Sequence, residues 1–276
     1  MDVDARLVGR VHDLLNARNE RPRPQLKREP GLKLMRVEDA ADELYVYDEI
    51  GFWGVMAADV AAQLDGHRGD LHVRVNSPGG DVFDGFAIFN MLANIDGNVT
   101  VTVEGLAASA ASVIAMAGDS VRMMSASQLM IHDASGLCIG NAGEMRAMVD
   151  VLDSISATIA QVYADHAGGD AGQWRAAMLA ETWYTPTEAV AAGLADEVLA
   201  PKRRDQTDDS APAAASFDLT VFQYAGRIAA PAPTATAAEP TPPEPPAPAP
   251  VAVPFPADVF RAAMREAVTT TRRAVR

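Results

Sequence analysis

Two serines in an otherwise small and apolar stretch are the first candidates for chemistry in this sequence. The stretch, residues 105–118, reads GLAASAASVIAMAG and contains Ser109 and Ser112. Glu104 and Asp119 flank it, so it is shorter than the roughly 20 apolar residues of a membrane-spanning helix. Ser109 falls where a strand ending at Glu104 gives way, through a glycine turn, to a helix, which places its hydroxyl near the positive helix end. Ser112 falls inside that helix, where a hydroxyl usually bonds back to a carbonyl, so Ser109 is the candidate nucleophile.

A serine nucleophile needs a base and, in a triad, a carboxylate that orients the base. His132 ends the apolar segment LMIHD, whose flanks would hold an imidazole firmly. The remaining histidines fall in a leader, a turn, the outer face of a strand or a helix end: His12, His67, His72 and His166. Spacing alone does not choose the carboxylate, and five remain open: Asp133, Asp165, Asp170, Glu181 and Asp196.

A glycine-rich loop, VNSPGGDV, could supply the third requirement of acyl transfer, which is a site for the developing oxyanion. It lies between a predicted strand and a predicted helix, and backbone N–H groups near a helix N-terminus stabilise negative oxygen. A plain strand-to-helix turn has the same composition, so the loop on its own decides nothing. The amide that follows Ser109 is a second possible donor.

Alternating helix and strand patterns must position these residues. LHVRV and VTVTVE alternate as strands, VFDGFAIFNMLANI has helical spacing, and a long helix extends from Glu144 to about Asp165. ELYVYDEI, SVRMM, SQLMIHD and ADEVL are further strands, and two short helices, near Trp174–Leu179 and Pro186–Ala192, precede the last of them. This order predicts an α/β domain over residues 44–200.

Composition separates the flanking segments from this domain. Residues 1–43 form a polar leader, residues 201–255 an Ala/Pro-rich flexible linker, and residues 256–276 a short amphipathic basic helix. Within the linker, FDLTVFQYAG (217–226) is the one place where a strand could form against the domain.

The bulk composition limits the classes of function. With 276 residues, 49% of them hydrophobic, the chain can build one sizeable core, and its net charge of −14 argues against nucleic acid as a partner. The single cysteine, Cys138, excludes an internal disulfide and is interpreted as structural. No signal-peptide pattern, metal-ligand cluster or phosphate-binding motif occurs, so we expect a cytoplasmic protein without membrane, metal or cofactor.

Four motifs that follow one another in the chain together carry a resemblance to a known family: NSPGGDV, GLAASA, MIHD and TPTEAVAAGLAD. Residues 44–199 resemble the proteolytic subunit of the Clp protease (ClpP), a serine peptidase family with a ClpP/crotonase-like α/β fold. The resemblance implies Ser109 as nucleophile, His132 as base, and the backbone N–H groups of Gly80 and Ala110 as oxyanion donors. It also implies that Glu181 is the acid, at a position where the family usually has aspartate.

Within that family, the chain most resembles head maturation proteases of tailed bacteriophages. The resemblance is carried by the segments GLAASAASVIAMAGD and SPGGDVFDGFAIFN, the leader and the Ala/Pro tail. That resemblance implies endopeptidase cleavage of capsid or scaffold proteins, in the host cytoplasm if the protein is phage-encoded. Three alternatives stay open: a housekeeping subunit that works with an ATPase, an enoyl-CoA hydratase-like enzyme that would not need Ser109 and His132, and a catalytically silent assembly protein.

Two expectations concern assembly. The apolar stripe of the long helix and the small, apolar loop SGLCIGNAG before it lie where the resembled family joins subunits, so we expect a ring-shaped homo-oligomer. The tail is expected to recruit the enzyme to a partner without belonging to the catalytic machinery, with a dispensable extension as the alternative.

Overall fold

The computed structural model describes residues 31–37, 40–201 and 217–234. In chain order its elements are β1 (Leu32–Met35), β2 (Asp42–Val46), α1 (Ala57–Leu64), β3 (Leu71–Ser77), α2 (Val82–Ala93), β4 (Val99–Ala108), α3 (Ala110–Ala115), β5 (Ser120–Met124), β6 (Gln128–Ile131), α4 (Ala142–Ala167), α5 (Ala171–Leu179), β7 (Thr182–Tyr184), α6 (Pro186–Ala191) and β8 (Glu197–Leu199). The alternation of helix and strand expected from the sequence is confirmed.

The strands form one mixed sheet within the described residues. Its main path runs β1-β2-β3-β4-β5-β8, and β6 pairs with the distal half of β4 and with β7. The pairs from β2 through β8 along this path are parallel, whereas β1–β2 and β6–β7 are antiparallel. Parallel strands connected by helices bury both sheet faces, and in the central strands β3 and β4 every residue is buried or half-buried.

The first strand corrects the predicted domain boundary. Leu32–Met35 pairs in register with β2, from Leu32 opposite Val46 to Met35 opposite Glu43. The sheet therefore begins inside the segment 1–43 that was predicted to be an irregular leader. The residues LKLM are too few for periodicity to identify a strand, and its partner lies beyond them in the chain.

The strand before the nucleophile is longer than predicted. The sequence pattern predicted that this strand ends at Glu104 with a glycine turn, but β4 continues to Ala108. A Cβ atom on Gly105 would lie 2.6 Å from Oδ1 of Asn76, and that same oxygen accepts a hydrogen bond from the Leu106 amide at 3.1 Å. Gly105 therefore allows a neighbouring side chain to approach the strand closely, and does not form a turn.

The segment 217–234 also differs from its prediction. The described part of the expected linker consists of turns and bends at Phe217–Gly226, with no strand there. Four of its side chains pack on a small apolar cluster formed by β4, β6 and β7: Phe217, Leu219, Phe222 and Tyr224. We call residues Phe217–Ala230 the strap. The terminal helix expected over residues 256–276 lies outside the described residues.

The main core lies between the sheet and its helices and encloses large side chains from every layer. Trp174 of α5 and Tyr163 of α4 belong to the same buried cluster as strand residues such as Val101 and Val103. Helix α3, which follows Ser109, is buried along its whole length. In the described part of the chain, no helix is long and apolar enough to cross a membrane.

Candidate active site

Ser109 occupies a strained turn between β4 and α3. It is the N-cap residue of α3, with φ of 54° and ψ of −126°, a backbone conformation that side chains rarely adopt. Its amide donates to the Met130 carbonyl at 3.0 Å, so β6 fixes the turn from one side. A non-glycine residue in this region indicates that the surrounding structure holds the hydroxyl in a required direction.

His132 follows β6 directly, beside that turn. Its Nε2 lies 2.7 Å from Ser109 Oγ, within hydrogen-bond distance of the hydroxyl proton that a base would remove. Burial lowers the pKa of His132 below its ordinary value, and the negative charges of Glu181 and Asp133 offset this only in part. Burial therefore favours the neutral imidazole, which is the form that accepts a proton.

Ser112 has the structural role that the sequence indicated. Its hydroxyl is buried, donates to the Ser109 carbonyl at 2.6 Å and lies 2.8 Å from the Tyr163 hydroxyl. The back-bond to a carbonyl predicted for a serine inside the helix is confirmed. Ser112 thus supports the strained turn and is not beside the imidazole.

The glycine-rich loop lies against the Ser109 turn. A Cβ atom on Gly79, which has φ of +85°, would lie 2.8 Å from the Ala110 amide nitrogen and 2.7 Å from Ser109 Cβ. Gly80, with φ of +144°, passes so close to Ile50 that a Cβ atom would lie 2.1 Å from its carbonyl oxygen. Glycine is therefore required at both positions to bring the loop alongside the nucleophile.

Residue Ile50 fixes the glycine-rich loop, which carries Gly80, one of the two expected oxyanion donors. Its amide donates to the Gly79 carbonyl at 2.8 Å and its carbonyl accepts from the Asp81 amide at 2.9 Å. Neither the Gly80 nor the Ala110 amide is a donor in the loop and cap hydrogen bonds between described residues. An amide without an intramolecular acceptor is what an oxyanion donor requires, so the expectation for Gly80 and Ala110 stays a prediction.

Glu181 is held differently from the expectation for a triad acid. The side chain is buried, and the backbone has φ of 48°. Its Oε1 accepts from Trp183 Nε1 at 3.0 Å and from the Tyr224 amide at 2.8 Å, and its Oε2 accepts from the Gln223 amide at 2.5 Å. Among the described residues, no hydrogen bond joins this carboxylate to His132. The direct contact that the resemblance implied is therefore not formed.

The other carboxylates that spacing left open are bound elsewhere. Asp133 forms a two-pronged ion pair with Arg175, at 2.7 and 2.8 Å. The remaining three accept hydrogen bonds from a glutamine side chain, a helix N-terminus and a strand amide, respectively: Asp165, Asp170 and Asp196. Glu181 and Asp133 are the acidic residues whose charges act on the His132 imidazole.

The other histidines that the structure describes have local roles. His67 is buried between Asp42 and the Gly69 carbonyl, and His72 lies 2.8 Å from the Thr102 hydroxyl. His166, near the end of α4, forms a hydrogen bond with the Met116 backbone. His12 lies outside the described residues. Cys138 contacts only the Glu144 carbonyl, at 3.9 Å, among the described hydrogen bonds. None of these side chains lies beside Ser109 in the contacts described above.

Comparison with known proteins identifies the family. The family model "Clp protease" matches residues 54–202, more than half of the chain. This chain belongs to the Clp protease family. The matched region includes the glycine-rich loop, both serines, His132 and Glu181, and it ends before the strap.

Relatives in the family are similar over the same region. An ATP-dependent Clp protease proteolytic subunit from Bacteroides fragilis is 31% identical over 135 residues, which is 48% of this chain and 65% of that protein. One from Deinococcus radiodurans is 28% identical over 162 residues, 56% of this chain and 77% of that protein. The match to the first of these thus spans less than two thirds of its length.

A solved structure shows the same fold. A single-residue mutant of ClpP1 from Listeria monocytogenes superposes with a TM-score of 0.51 and 24% identity, covering 56% of this chain and 90% of that one. The predicted ClpP-like α/β fold is therefore confirmed.

One feature of the site was not found from the sequence. Phe222 of the strap lies edge-on to the His132 ring, with ring centroids 5.4 Å apart. The only signal in the sequence was the apolar run FDLTVFQYAG after a polar segment, a run that predicted a possible strand outside the catalytic machinery. Local patterning does not reveal which surface such a run covers.

Proposed function

We propose that this chain is a serine endopeptidase of the Clp type, in which Ser109 is the nucleophile and His132 the general base. The single observation that carries the proposal is the 2.7 Å contact between His132 Nε2 and Ser109 Oγ at a strained helix N-cap. Family membership supports the reaction class. An enoyl-CoA hydratase-like enzyme would have no need of this pair, and a silent assembly protein would have no need to hold a serine in a strained conformation.

The proposed reaction is acyl transfer in two steps. Ser109 Oγ attacks the peptide carbonyl carbon while His132 takes the hydroxyl proton, and the proton then passes to the leaving amine as the C–N bond breaks. The amides of Gly80 and Ala110 donate to the oxyanion, a contribution worth about 3–4 kcal/mol for one donor in a comparable site. Water, with its proton taken by His132, then hydrolyses the ester and regenerates Ser109.

Labelling with a fluorophosphonate probe tests this proposal. The full chain should be modified once, at Ser109, as located by peptide mass spectrometry. Ser109→Ala should abolish labelling, and Ser112→Ala, the matched control on the same helix, should retain it. Modification of Ser112 in the Ser109→Ala variant, or no modification of the natural chain, would contradict the proposal.

The substrates we propose are capsid or scaffold proteins cleaved during phage head maturation. This rests on the resemblance of the motifs and on the Ala/Pro-rich extension beyond the matched region. The relatives are ATP-dependent Clp protease proteolytic subunits, which favours the second candidate, a subunit that works with a partner ATPase. Co-expression with candidate capsid proteins, with cut ends identified by mass spectrometry, separates the two. Cleavage without any ATPase supports the first, and cleavage only with an ATPase and ATP supports the second.

We also propose that copies of this chain assemble into a ring. The start of α4 and the loop before it expose apolar side chains that water solvates poorly, among them Leu137, Ile139, Met145 and Val149. A second copy of the same surface is the proposed occupant. Light scattering should show an oligomer that Val149→Asp dissociates, whereas Leu179→Asp, at an exposed site on α5, should leave it intact. A monomeric, fully active natural chain would refute the proposal.

The tail beyond the strap is proposed to recruit the enzyme to its substrate. A chain ending at Thr234 keeps every strap contact described above. It should hydrolyse a small ester as the full chain does, but should process the protein substrate more slowly, because the local concentration of enzyme is lower. Equal processing by both chains would favour a dispensable extension.

A further inference from the structure

The strap lies against the candidate active site, although the sequence placed it in a linker. Phe222 packs on His132, and its ring centroid lies 6.0 Å from that of Trp183. The apolar cluster beneath it consists of Leu106 and Ala108 of β4, with Met130 and Trp183. These strands end at the Ser109 turn and at His132, so the strap covers the side of the sheet that supports both residues.

The first anchor of the strap is Glu181. Two successive strap amides, of Gln223 and Tyr224, donate to its carboxylate, and Trp183 supplies the third hydrogen bond. Three N–H donors satisfy the hydrogen-bonding capacity of this buried carboxylate. The residue at the family's acid position therefore uses its hydrogen-bonding capacity to hold the two residues that follow Phe222.

The second anchor is an ion pair nearer the C-terminal end of the strap. Arg227 donates to both carboxylate oxygens of Glu188, at 2.7 and 2.5 Å, and its amide donates to Gln128 Oε1 at 2.9 Å. The Arg227 guanidinium is the largest influence that lowers the pKa of Glu188, to about 2. Both anchors follow Phe222 in the chain, whereas Phe217 and Leu219, which precede it, pack on the apolar cluster, so the strap is held on both sides of Phe222.

With the strap in this position, the nucleophile and base are within hydrogen-bond distance. The 2.7 Å contact between Ser109 and His132 exists while Phe222 packs on the imidazole. A segment that blocked catalysis would be expected to separate these groups or to occupy the glycine-rich loop. The apolar contacts of the strap lie on β4, β6 and β7, and its polar anchors are Glu181, Glu188 and Gln128. The contacts therefore favour support of the imidazole over inhibition.

We propose that Phe222 is a positioning residue for His132, and that Glu181 contributes to catalysis by holding the strap that carries Phe222, without a direct bond to the imidazole. The inference rests on the proposed peptidase function, because in that function His132 is the general base and must be oriented toward Ser109. Edge-on packing restricts rotation of the ring, and burial by Phe222 keeps water from the imidazole. In a triad, the acid performs this orienting task through a hydrogen bond.

Variants of the full chain test the proposal. Phe222→Ala should lower kcat for a small ester by about 10- to 100-fold, because a small displacement of a catalytic group costs rates of this size, with KM nearly unchanged. The midpoint of the pH profile should also rise toward the ordinary histidine value of 6.5, because the imidazole becomes more exposed. Phe222→Leu, which keeps an apolar side chain there, should restore much of the lower midpoint. Leu219→Ala is the matched control, since it removes an apolar strap side chain that has no described contact with His132.

A double variant tests the part played by Glu181. If Glu181 acts through Phe222, Glu181→Gln together with Phe222→Ala should lower kcat little more than Phe222→Ala alone. Multiplied losses would overturn the indirect role. A rate in Phe222→Ala that equals or exceeds that of the natural chain would overturn the positioning role.

A readout independent of activity separates this inference from the proposed function. The pKa of His132, followed by NMR through its ring signals, should rise in Phe222→Ala even if the chain hydrolyses nothing. If the natural chain is not labelled at Ser109 but this pKa moves, the peptidase proposal fails and the packing contact stands. If the natural chain is labelled and neither kcat nor the pKa changes in Phe222→Ala, the positioning role is wrong.

Discussion

The buried hydroxyl pair beneath the nucleophile permits a quantitative test. Ser112 Oγ donates to the Ser109 carbonyl and lies 2.8 Å from the Tyr163 hydroxyl, and both side chains are enclosed in the core. Burial raises the pKa of Tyr163, so its phenol stays protonated in the physiological range. The pair therefore behaves as two neutral hydroxyls that satisfy each other.

The two single substitutions should cost unequal amounts. Ser112→Ala leaves the Tyr163 hydroxyl buried without its described partner, which should lower the free energy of unfolding by about 1–3 kcal/mol. Tyr163→Phe leaves Ser112 still bonded to the Ser109 carbonyl, so about 0.5–1.5 kcal/mol is expected. The double variant leaves no unpaired hydroxyl, and it should be less destabilised than the sum of the two by about 1 kcal/mol.

Urea unfolding followed by tryptophan fluorescence measures these differences. Thr158→Ala is the control, because its hydroxyl makes the same kind of back-bond, to Ser154 at 3.0 Å, on an exposed face of α4. It should change stability by less than about 0.5 kcal/mol. Costs for Ser112 and Tyr163 that add within about 0.5 kcal/mol would refute the pairing. Loss of fluorophosphonate labelling in a folded Ser112→Ala variant would refute the assignment of Ser112 as structural.

Three further predictions follow from the same site. Since His132 acts as base only when neutral and burial lowers its pKa, ester hydrolysis should rise with pH through a midpoint below 6.5 and level off above it; a midpoint above 6.5 would contradict this. Arg175→Gln removes the cation that pairs with the Asp133 carboxylate, whose charge raises the pKa of His132. The midpoint of the pH profile should therefore move upward, and an unchanged profile would show that the ion pair has no influence on His132. Gly79→Ala should abolish fluorophosphonate labelling, because its Cβ atom has no room beside the nucleophile turn. Gly69→Ala is the control: Gly69 has a similar φ of +87° but nothing within 4 Å of an added Cβ atom, so the variant should lose only about 1–2 kcal/mol to backbone strain and keep labelling. Labelling retained in Gly79→Ala would refute the close approach.

Much of the site could be predicted because its residues are local to recognisable patterns. A hydroxyl after an apolar strand, a histidine at the end of another strand and a glycine-rich loop before a helix each have a local signature. Parallel strands bring their carboxyl ends to one edge of a sheet, so the approach of Ser109, His132 and the glycine loop follows from the α/β order together with the family motifs. The role of Ser112 followed in the same way, since a back-bond to a carbonyl depends only on the helix that contains it.

The sequence by itself thus determined the fold class, the alternation of elements and the pair Ser109–His132. Only the tertiary structure decided the environment of Glu181, the continuation of β4 through Gly105, the strand at Leu32–Met35 and the position of the strap. These features depend on partners distant in the chain: Glu181 binds amides 42 and 43 residues away, and Gly105 receives a side chain from 29 positions earlier. Periodicity reports how a segment faces its own neighbours, whereas contacts of this kind form only when the sheet has brought separate segments together.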